Sequence, residues 1–438
     1  MDNKENNIKL KTLENLDDVD TIDLASALSD YSDEEIIELT NKLDDERMAR
    51  VLEEAEPRNQ KRLLKNVDNK RILQIFSYMA KDDIVDVLGD ISVGKAKDLI
   101  RLMKEGDQVV IKELLGYRDD SAGGLMTTEY IALYEDMPII NAIKKIKEIA
   151  PKTELIEIIF VLNTNKELVG TVELRDLLIA PEDKTLGEIT DRHYIYVVPE
   201  TDQEEVALLG SKYNLKAIPV LNKKRAILGI ITIDDIVDVM VEEQTEDVLK
   251  MGGVSKIEEI DSPVKDSIKL RLPWLIVNLI TAFLAAFTVK CFESTIAQVV
   301  ALSSIMSIVT GMGGNAGTQT VSVIIRNIAI GKVKLKDSFK LLAKQLIVDL
   351  FDGAIIGIIT GIVISIVYGN VYLGIIIFLA MIANLIISGA CGILIPLILN
   401  KMKIDPALSS SIFLTTATDV LGFFIFLSLA KVFLPHLI

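Results

Sequence analysis

Leu414-Thr415-Thr416-Ala417-Thr418-Asp419-Val420-Leu421-Gly422 puts a carboxylate inside a hydrophobic stretch long enough to cross a membrane. A charge at membrane depth costs at least ~2.5 kcal/mol on insertion scales. Asp419 therefore needs a use: a cation route, a proton relay or a partner charge. Thr415, Asp419 and Gly422 stand at i, i+4 and i+7, one stripe of a helix, and Ser411 extends it by a turn. A polar stripe with one carboxylate suits a cation that still carries water, and magnesium dehydrates reluctantly and favours oxygen ligands. The bases of this region sit at the ends of the apolar segments, which argues against Asp419 as the partner of a buried base. One carboxylate per chain makes a symmetric acidic ring only in an oligomer.

A second constellation is Gly311-Met312-Gly313-Gly314-Asn315-Ala316-Gly317-Thr318-Gln319, also at mid-membrane. Glycine lowers helix propensity but lets backbones approach closely or exposes carbonyls to a cavity. Asn315 and Gln319 share a face. The stretch is either a small-residue packing seam or a pore wall where carbonyls and an amide meet a hydrated ion. Asp349 and Asp352, early in the next apolar segment, read as a solvated helix end or an inner vestibule. Further acids recur at helical spacing in Asp82, Asp83, Asp86 and Asp90, and in Asp235, Asp238, Glu242, Glu243, Glu246 and Asp247. Two carboxylates about 5 Å apart repel by ~3 kcal/mol at an effective dielectric of about 20. Packing such sets together is unfavourable unless a divalent cation lies between them; singly, each reads as a solvated face.

The elements that carry these residues fall into two parts. After Arg271 the chain has ten Lys/Arg against six Asp/Glu, a net of +4; the whole-chain net of −16 then leaves −20 on the first 271 residues. An acidic soluble region precedes a membrane region. Such acidity argues against nucleic acid as partner. His193 and His436 are the only histidines, and Cys291 and Cys391 the only cysteines, which removes histidine-cluster zinc chemistry and a disulfide framework. No nucleophile–base set or phosphate loop is present, so an enzyme is not expected. Residues 1–10 are polar and charged, and no cleavable signal peptide is expected.

Five apolar segments, near 273–291, 296–325, 339–368, 371–399 and 407–437, each supply the ~20 residues of a spanning helix. Lys265, Lys269 and Arg271 precede the first. Arg326, Lys332, Lys334, Lys336, Lys340 and Lys344 lie between the second and third, and Lys401 and Lys403 between the fourth and fifth; the alternate ends hold Lys290 and Lys431. With five spans all three basic clusters share one side, so the N-terminal region is expected in the cytoplasm and the C-terminus outside. Trp274 suits an inner interfacial anchor.

From about 28 to 117 apolar positions recur every 24 residues or so: Leu28, Leu52 and Phe76; Leu39, Leu63 and Val87; Leu43, Val67, Ile91 and Leu115. This period predicts a short solenoid of paired amphipathic helices, with Pro57, Gly89-Asp90 and Gly106-Asp107 marking turns. Residues 121–250 alternate strand and helix. Strands are expected at 156–162 and 169–172 with a helix from Leu174, then at 217–221 and 228–231 with a helix from Asp234. Two copies about 60 residues apart resemble a cystathionine-beta-synthase (CBS) domain pair. The second carries Thr232-Ile233-Asp234-Asp235, the Thr-x-x-Asp pattern such domains use on ribose hydroxyls; the first has Glu173-Leu174-Arg175-Asp176, which keeps the Asp and loses the hydroxyl. The acidic helix that follows is interrupted by Gly252-Gly253, and Ser262-Pro263-Val264-Lys265-Asp266 predicts the start of a helix running into the membrane.

The order of parts then becomes recognisable. Helical repeat, Asp119-Asp120-Ser121-Ala122-Gly123-Gly124-Leu125-Met126-Thr127, CBS pair, acidic connector and five spans resemble an MgtE-type magnesium channel over nearly the whole chain. The most specific pieces are Gly314-Asn315-Ala316-Gly317-Thr318-Gln319, Asp405-Pro406-Ala407 and Thr415-Thr416-Ala417-Thr418-Asp419. The resemblance implies a multidomain membrane protein. Its parts are a cytoplasmic α-helical superhelical domain (1–120), an α/β CBS-domain pair (121–244), an acidic connecting helix and linker (245–271) and a five-helix transmembrane domain (272–438). It implies a multi-pass homodimer in the plasma (inner) membrane, with the pore on the dimer axis. Asp419 would recognise hydrated magnesium; Asn315, Gly314 and Gly317 would line the route, and Thr415 and Gly422 match further pore positions. Inhibitory magnesium sites are implied on Asp202, Glu204, Asp235, Asp238, Glu243, Glu246 and Asp247, with Asp86 and Asp90 as partners. Arg175 and Asp176 match where the family can hold ATP. Ser411, Asn214, Asp349 and Asp352 depart from the expected residues. The implied function is magnesium uptake down the membrane potential, shut by cytoplasmic magnesium; a coupled divalent transporter or exporter with Asp419 as relay is the alternative.

Overall fold

The structure, a computed structural model, describes residues 16, 19–153, 155–254, 258, 262–333 and 338–437. Lys334 and Lys336, expected among the inner-face bases, and residues 1–10 lie outside the described residues. The chain forms two compact units, Met1–Val239 and Met240–Ile438.

The first unit begins with short helices: α1 (Thr21–Ala27), α2 (Asp33–Lys42), α3 (Asp45–Glu53), α4 (Pro57–Leu64), α5 (Asn69–Phe76), α6 (Lys81–Asp90), α7 (Val93–Leu102) and α8 (Glu105–Leu114). Odd helices pack on odd (α1 on α3, α3 on α5, α5 on α7) and even on even (α2 on α4, α4 on α6, α6 on α8). Two helices per step is the origin of the 24-residue period. Leu28, Leu52 and Phe76 are buried, as are Leu39, Leu63 and Val87, whereas Leu115 emerges at the surface where the repeat ends. A polar repeat escaped the apolar reading. Asp20, Asp44 and Asp68 cap α1, α3 and α5, and Asp44 and Asp68 accept from Arg47 N and Arg71 N at 2.8 Å. Each cap is worth ~1 kcal/mol. The same arginines reach back one step, Arg47 Nη2 to Val19 O (2.7 Å) and Arg71 Nη2 to Leu43 O (2.8 Å). Pro57 opens α4 as expected. Gly89-Asp90 and Gly106-Asp107 are not turns: they form the end of α6 and the first turn of α8.

The CBS region follows with α9 (Ala122–Leu125), β1 (Ile131–Tyr134), α10 (Ile139–Ile149), β2 (Ile158–Leu162), β3 (Leu168–Glu173), α11 (Leu174–Ile179), α12 (Leu186–Ile189), α13 (Gln203–Tyr213), β4 (Ala217–Leu221), β5 (Ile227–Thr232) and α14 (Ile233–Met251). β2 pairs with β3 and β4 with β5, both antiparallel, and each pair carries a register shift near its end. β1, which was not anticipated, runs parallel to β2. Asn214 ends α13 in the left-handed region (φ 51°), a conformation Asn tolerates better than most residues. That gives the departure at this position a backbone reason.

The second unit holds the end of α14 and then α15 (Val264–Lys290), α16 (Glu293–Gln298), α17 (Ala301–Ala329), α18 (Ser338–Tyr368), α19 (Val371–Lys401) and α20 (Pro406–Val432). α15 starts at Val264 with Pro263 as its N-cap, one residue later than expected. α19 packs against α17, α18 and α20, and α15 against α20. Among the described residues four helices are long and apolar enough to cross a membrane: Val264–Lys290, Phe339–Tyr368, Val371–Lys401 and Ser411–Val432. The exception among the long helices is α17. It is 29 residues long, but its glycines, serines and Asn315 dilute its apolar character.

Candidate functional site

Two sets of side chains stand out, one in each unit. In the second unit, α17 presents Ser304, Ser307, Gly311, Asn315, Thr318 and Ser322 on one exposed face, while Leu302, Ile305, Val309, Gly313 and Gly317 on the other are buried. On α20, Thr415 is exposed and Asp419 half-buried. Among the described residues Asp419 has no hydrogen-bond or ion-pair partner. Thr415 donates to Ser411 O and Thr418 to Thr415 O (3.1 Å), while Thr318 donates to Gly314 O (2.9 Å). These hydroxyls are satisfied within their helices; those of Thr415 and Thr318 are on exposed residues, whereas Thr418 is buried.

The glycines divide into two kinds. A Cβ on Gly311 or Gly314 would meet nothing within 4 Å, whereas one on Gly313 would lie 2.2 Å from Asn384 Nδ2, one on Gly317 2.5 Å from Ser388 Oγ, and one on Gly422 2.9 Å from Asn384 Oδ1. Gly317 and Gly422, expected along an ion route, have their Cα faces packed against Ser388, Leu414 and Asn384 within the chain. Gly314 keeps an open surface. The seam and the open wall, alternatives in the sequence, are two faces of one helix. Asn384, which sequence reasoning missed, is wholly buried between them and donates to Val309 O at 2.7 Å; Ser388 donates to Gly313 O. An Asn and a Ser one turn apart in an otherwise apolar helix were the available signal. Gly313→Ala is expected to destabilise the protein by ~1–3 kcal/mol through overpacking, while Gly311→Ala leaves thermal stability in detergent unchanged.

Asp349 is not at a solvated mouth. It is 3% exposed, pressed on Gly389, with Oδ1 accepting from Gln345 Nε2 (2.9 Å); Gln345 also donates to Thr320 Oγ1 (3.1 Å). Asp352 is exposed.

In the first unit α6 and the start of α14 bring acids together. Burial, then the carboxylates of Asp82, Asp119, Asp90 and Asp235, push the Asp86 carboxyl up to about 7, although its side chain still reaches water, which screens part of the repulsion. Asp235 is pushed up to about 6 by burial and by Asp82 and Asp234, against hydrogen bonds from Thr232. Burial also raises Asp82 and Glu129, and carries Glu53 to about 6. Asp82 Oδ1 is buried with no hydrogen-bond partner. The sequence marks Asp82 only as part of an acidic face, and no local pattern singles out Glu53 or Glu129. Asp90 is tied to Lys61 at 3.6 Å. Among the described residues no group of three or more His, Cys, Asp or Glu forms a ready coordination shell. A magnesium ion that keeps several waters needs only one or two direct carboxylates, so an all-oxygen donor set with an orphaned buried oxygen fits that ion.

The other expected acids lie elsewhere. Asp202 caps α13 by accepting from Glu204 N at 3.0 Å. Asp238 and Glu243 lie along α14, Asp238 exposed. Glu246 pairs with Lys250 at 2.8 Å, and Asp247 is raised by burial and then by Asp405. Thr232, 1% exposed, donates its hydroxyl to Asp235 Oδ2 at 2.7 Å, so this Thr-x-x-Asp pair is spent internally. Arg175 is open to solvent beside Glu173 (3.6 Å) and Asp176 (3.5 Å).

Known proteins supply the frame for this arrangement. The family model MgtE, a divalent cation transporter, matches residues 306–429; the MgtE intracellular N domain matches 19–120 and CBS domains match 122–183 and 186–242. The chain is 31% identical to the magnesium transporter MgtE of Bacillus subtilis (strain 168), covering 88% of this chain and 94% of the relative. It is 32% identical to the magnesium transporter MgtE of Enterococcus faecalis, covering 75% and 72%. The crystal structure of the cytosolic domain of the Mg2+ channel MgtE in complex with ATP is 31% identical and superposes with a TM-score of 0.50, over 52% of this chain and 93% of that one. By whole-length similarity and by all three of its parts, the chain belongs to the MgtE family of divalent cation transporters.

Proposed function

We propose that this protein is a magnesium channel, a homodimer of the plasma (inner) membrane that admits magnesium and is shut by magnesium bound to its cytoplasmic carboxylates. One observation carries the reading: an exposed polar face on α17 accompanied by an unpaired carboxylate, Asp419, on α20. Facing lipid, such groups are costly; facing a second copy, they enclose an aqueous route with one carboxylate from each subunit. At ~1.5 Å per residue, α17 is roughly 44 Å long, enough to be the fifth span. Five spans put Arg326, Lys401 and Lys403 with the first unit in the cytoplasm. Ile233, Val237, Val241 and Val248 form an exposed apolar stripe along α14, which supports a paired helix there. Relatives named as magnesium transporters support the cargo.

The gating half of the proposal assigns regulatory magnesium to the acids of α6 and α14, Asp86, Asp90 and Asp235 together with Asp82, along α14 to Asp238, Glu243, Glu246 and Asp247, and to Asp202 and Glu204 at the start of α13. ATP, found with the solved cytosolic neighbour, is proposed to meet Arg175 and Asp176. Purified protein in liposomes is expected to carry magnesium currents that reverse at the magnesium equilibrium potential whatever the proton gradient, and that fall as internal magnesium rises. A reversal potential that follows the proton gradient would instead support the coupled transporter or exporter.

A further inference from the structure

Asp405-Pro406-Ala407 is the one specific motif that conduction and sensing leave without a role. Asp405 is the N-cap of α20, its Oδ1 accepting from Ala407 N at 2.8 Å. Its other oxygen, Oδ2, lies 2.6 Å from Lys250 Nζ, and the same ammonium is 2.8 Å from Glu246 Oε1. Lys250 is near the end of α14, and its side chain is 16% exposed. Burial alone would lower this ammonium, but the hydrogen bonds it donates to Asp405 and Glu246 more than offset it and leave it raised. Asp247 stands beside the pair as a third carboxylate. The next residue, Met251, packs on Val321, Ala407 and Leu414, so the contact joins α14, α17 and α20 by both charge and apolar surface.

We infer that Lys250 and Asp405 are positioning residues: an ion pair that latches the end of α14 to the first turn of α20, so that the helix bearing Asp419 follows the helix bearing the sensor acids. The geometry favours transmission because one carboxylate does two tasks. A displacement of α14 pulls on the group that caps α20, and a continuous helix moves as a unit from its first turn. Glu246 holds the ammonium against its own helix while it pairs with Asp405, so a shift of α14 carries the ammonium with it. The inference rests on the proposed magnesium-gated channel, and the wild-type protein tests that reading separately.

The test uses full-length protein in liposomes with graded internal magnesium. Lys250→Met keeps the apolar stem and removes the charge. Asp405→Asn keeps a good N-cap and removes the counter-charge. Both are expected to raise the internal magnesium needed for half-inhibition about tenfold, the usual scale for losing a hydrogen-bonded charge pair or a coupling between sites. Unitary conductance and ion selectivity stay as in the wild type, and Lys250→Arg restores inhibition. Hydrogen exchange in the first turn of α20 is expected to rise in Lys250→Met and not in Lys250→Arg, whatever the conducted ion. Unchanged half-inhibition in both charge-removing variants would overturn the latch, as would conductance falling in step with gating. Absence of magnesium current in the wild type would overturn the channel reading instead, while the exchange measurement still decides whether the ion pair holds α20.

Discussion

Magnesium uptake should fall at least about thirtyfold when Asp419 is replaced by asparagine, with the protein still folded and inserted. The substitution preserves size and removes the charge. Losing one member of a desolvated charge interaction costs ~2–5 kcal/mol, and each ~1.4 kcal/mol is a factor of ten. Asp419 makes no hydrogen bond or ion pair among the described residues, so none of their contacts depends on its charge. The fold should therefore tolerate the change even though conduction does not. Asp419→Glu keeps the charge but moves it by a methylene, and should conduct weakly with poorer discrimination among divalent ions. Uptake into liposomes loaded with a magnesium-sensitive dye, together with size-exclusion profiles in detergent, separates the two effects. Wild-type uptake by Asp419→Asn would remove α20 from the ion route.

The second large effect concerns the acids of the first unit. Asp235 is raised from 3.8 to about 6 and Asp86 from 3.8 to about 7. A carboxyl raised on folding binds its proton more tightly in the folded state, so its ionisation opposes folding. The penalty is absent below about pH 4, grows as pH rises through the folded values, and is complete above about pH 7. Metal-free protein should thus gain thermal stability as the pH drops from 7.5 to 5.5. Magnesium should give the same gain at pH 7.5, where it replaces protons as the compensating charge, and should bind more weakly at pH 5.5. Replacing Asp82, Asp86 and Asp235 by asparagine together should flatten the pH dependence. It should also shift half-inhibition by internal magnesium upward more than tenfold, the range of a strong coupling between sites. Differential scanning fluorimetry across pH, with and without magnesium, gives the first result, and currents under graded internal magnesium the second. A triple variant that keeps both wild-type behaviours would show that these acids neither repel one another nor sense the cation.

Much of the fold was legible because it is written in neighbouring residues. The apolar period of 24 follows from two helices per step, and the strand pairs of the CBS region from alternating apolar runs that end in glycine. The long apolar stretches announced helices of spanning length. Asp419 could be singled out because its cost depends only on its immediate surroundings. Side chains that act through distant partners were not legible in this way. Lys250 and Asp405 are 155 positions apart, and the acids of α6 meet those of α14 only through the fold. Likewise, no local pattern tells Gly314, which is open, from Gly313 and Gly317, which face Asn384 and Ser388. Asp349 looked like a helix-end acid until α19 closed over it at Gly389. Local sequence determined most of the elements, their order and the presence of a carboxylate at membrane depth, because periodicity and insertion cost are local properties; β1 and the helical Gly89-Asp90 and Gly106-Asp107 pairs were not legible in this way. Which faces close on one another, and therefore which polar groups remain free to meet an ion, was decided by tertiary packing, because contacts between helices depend on residues far apart along the chain.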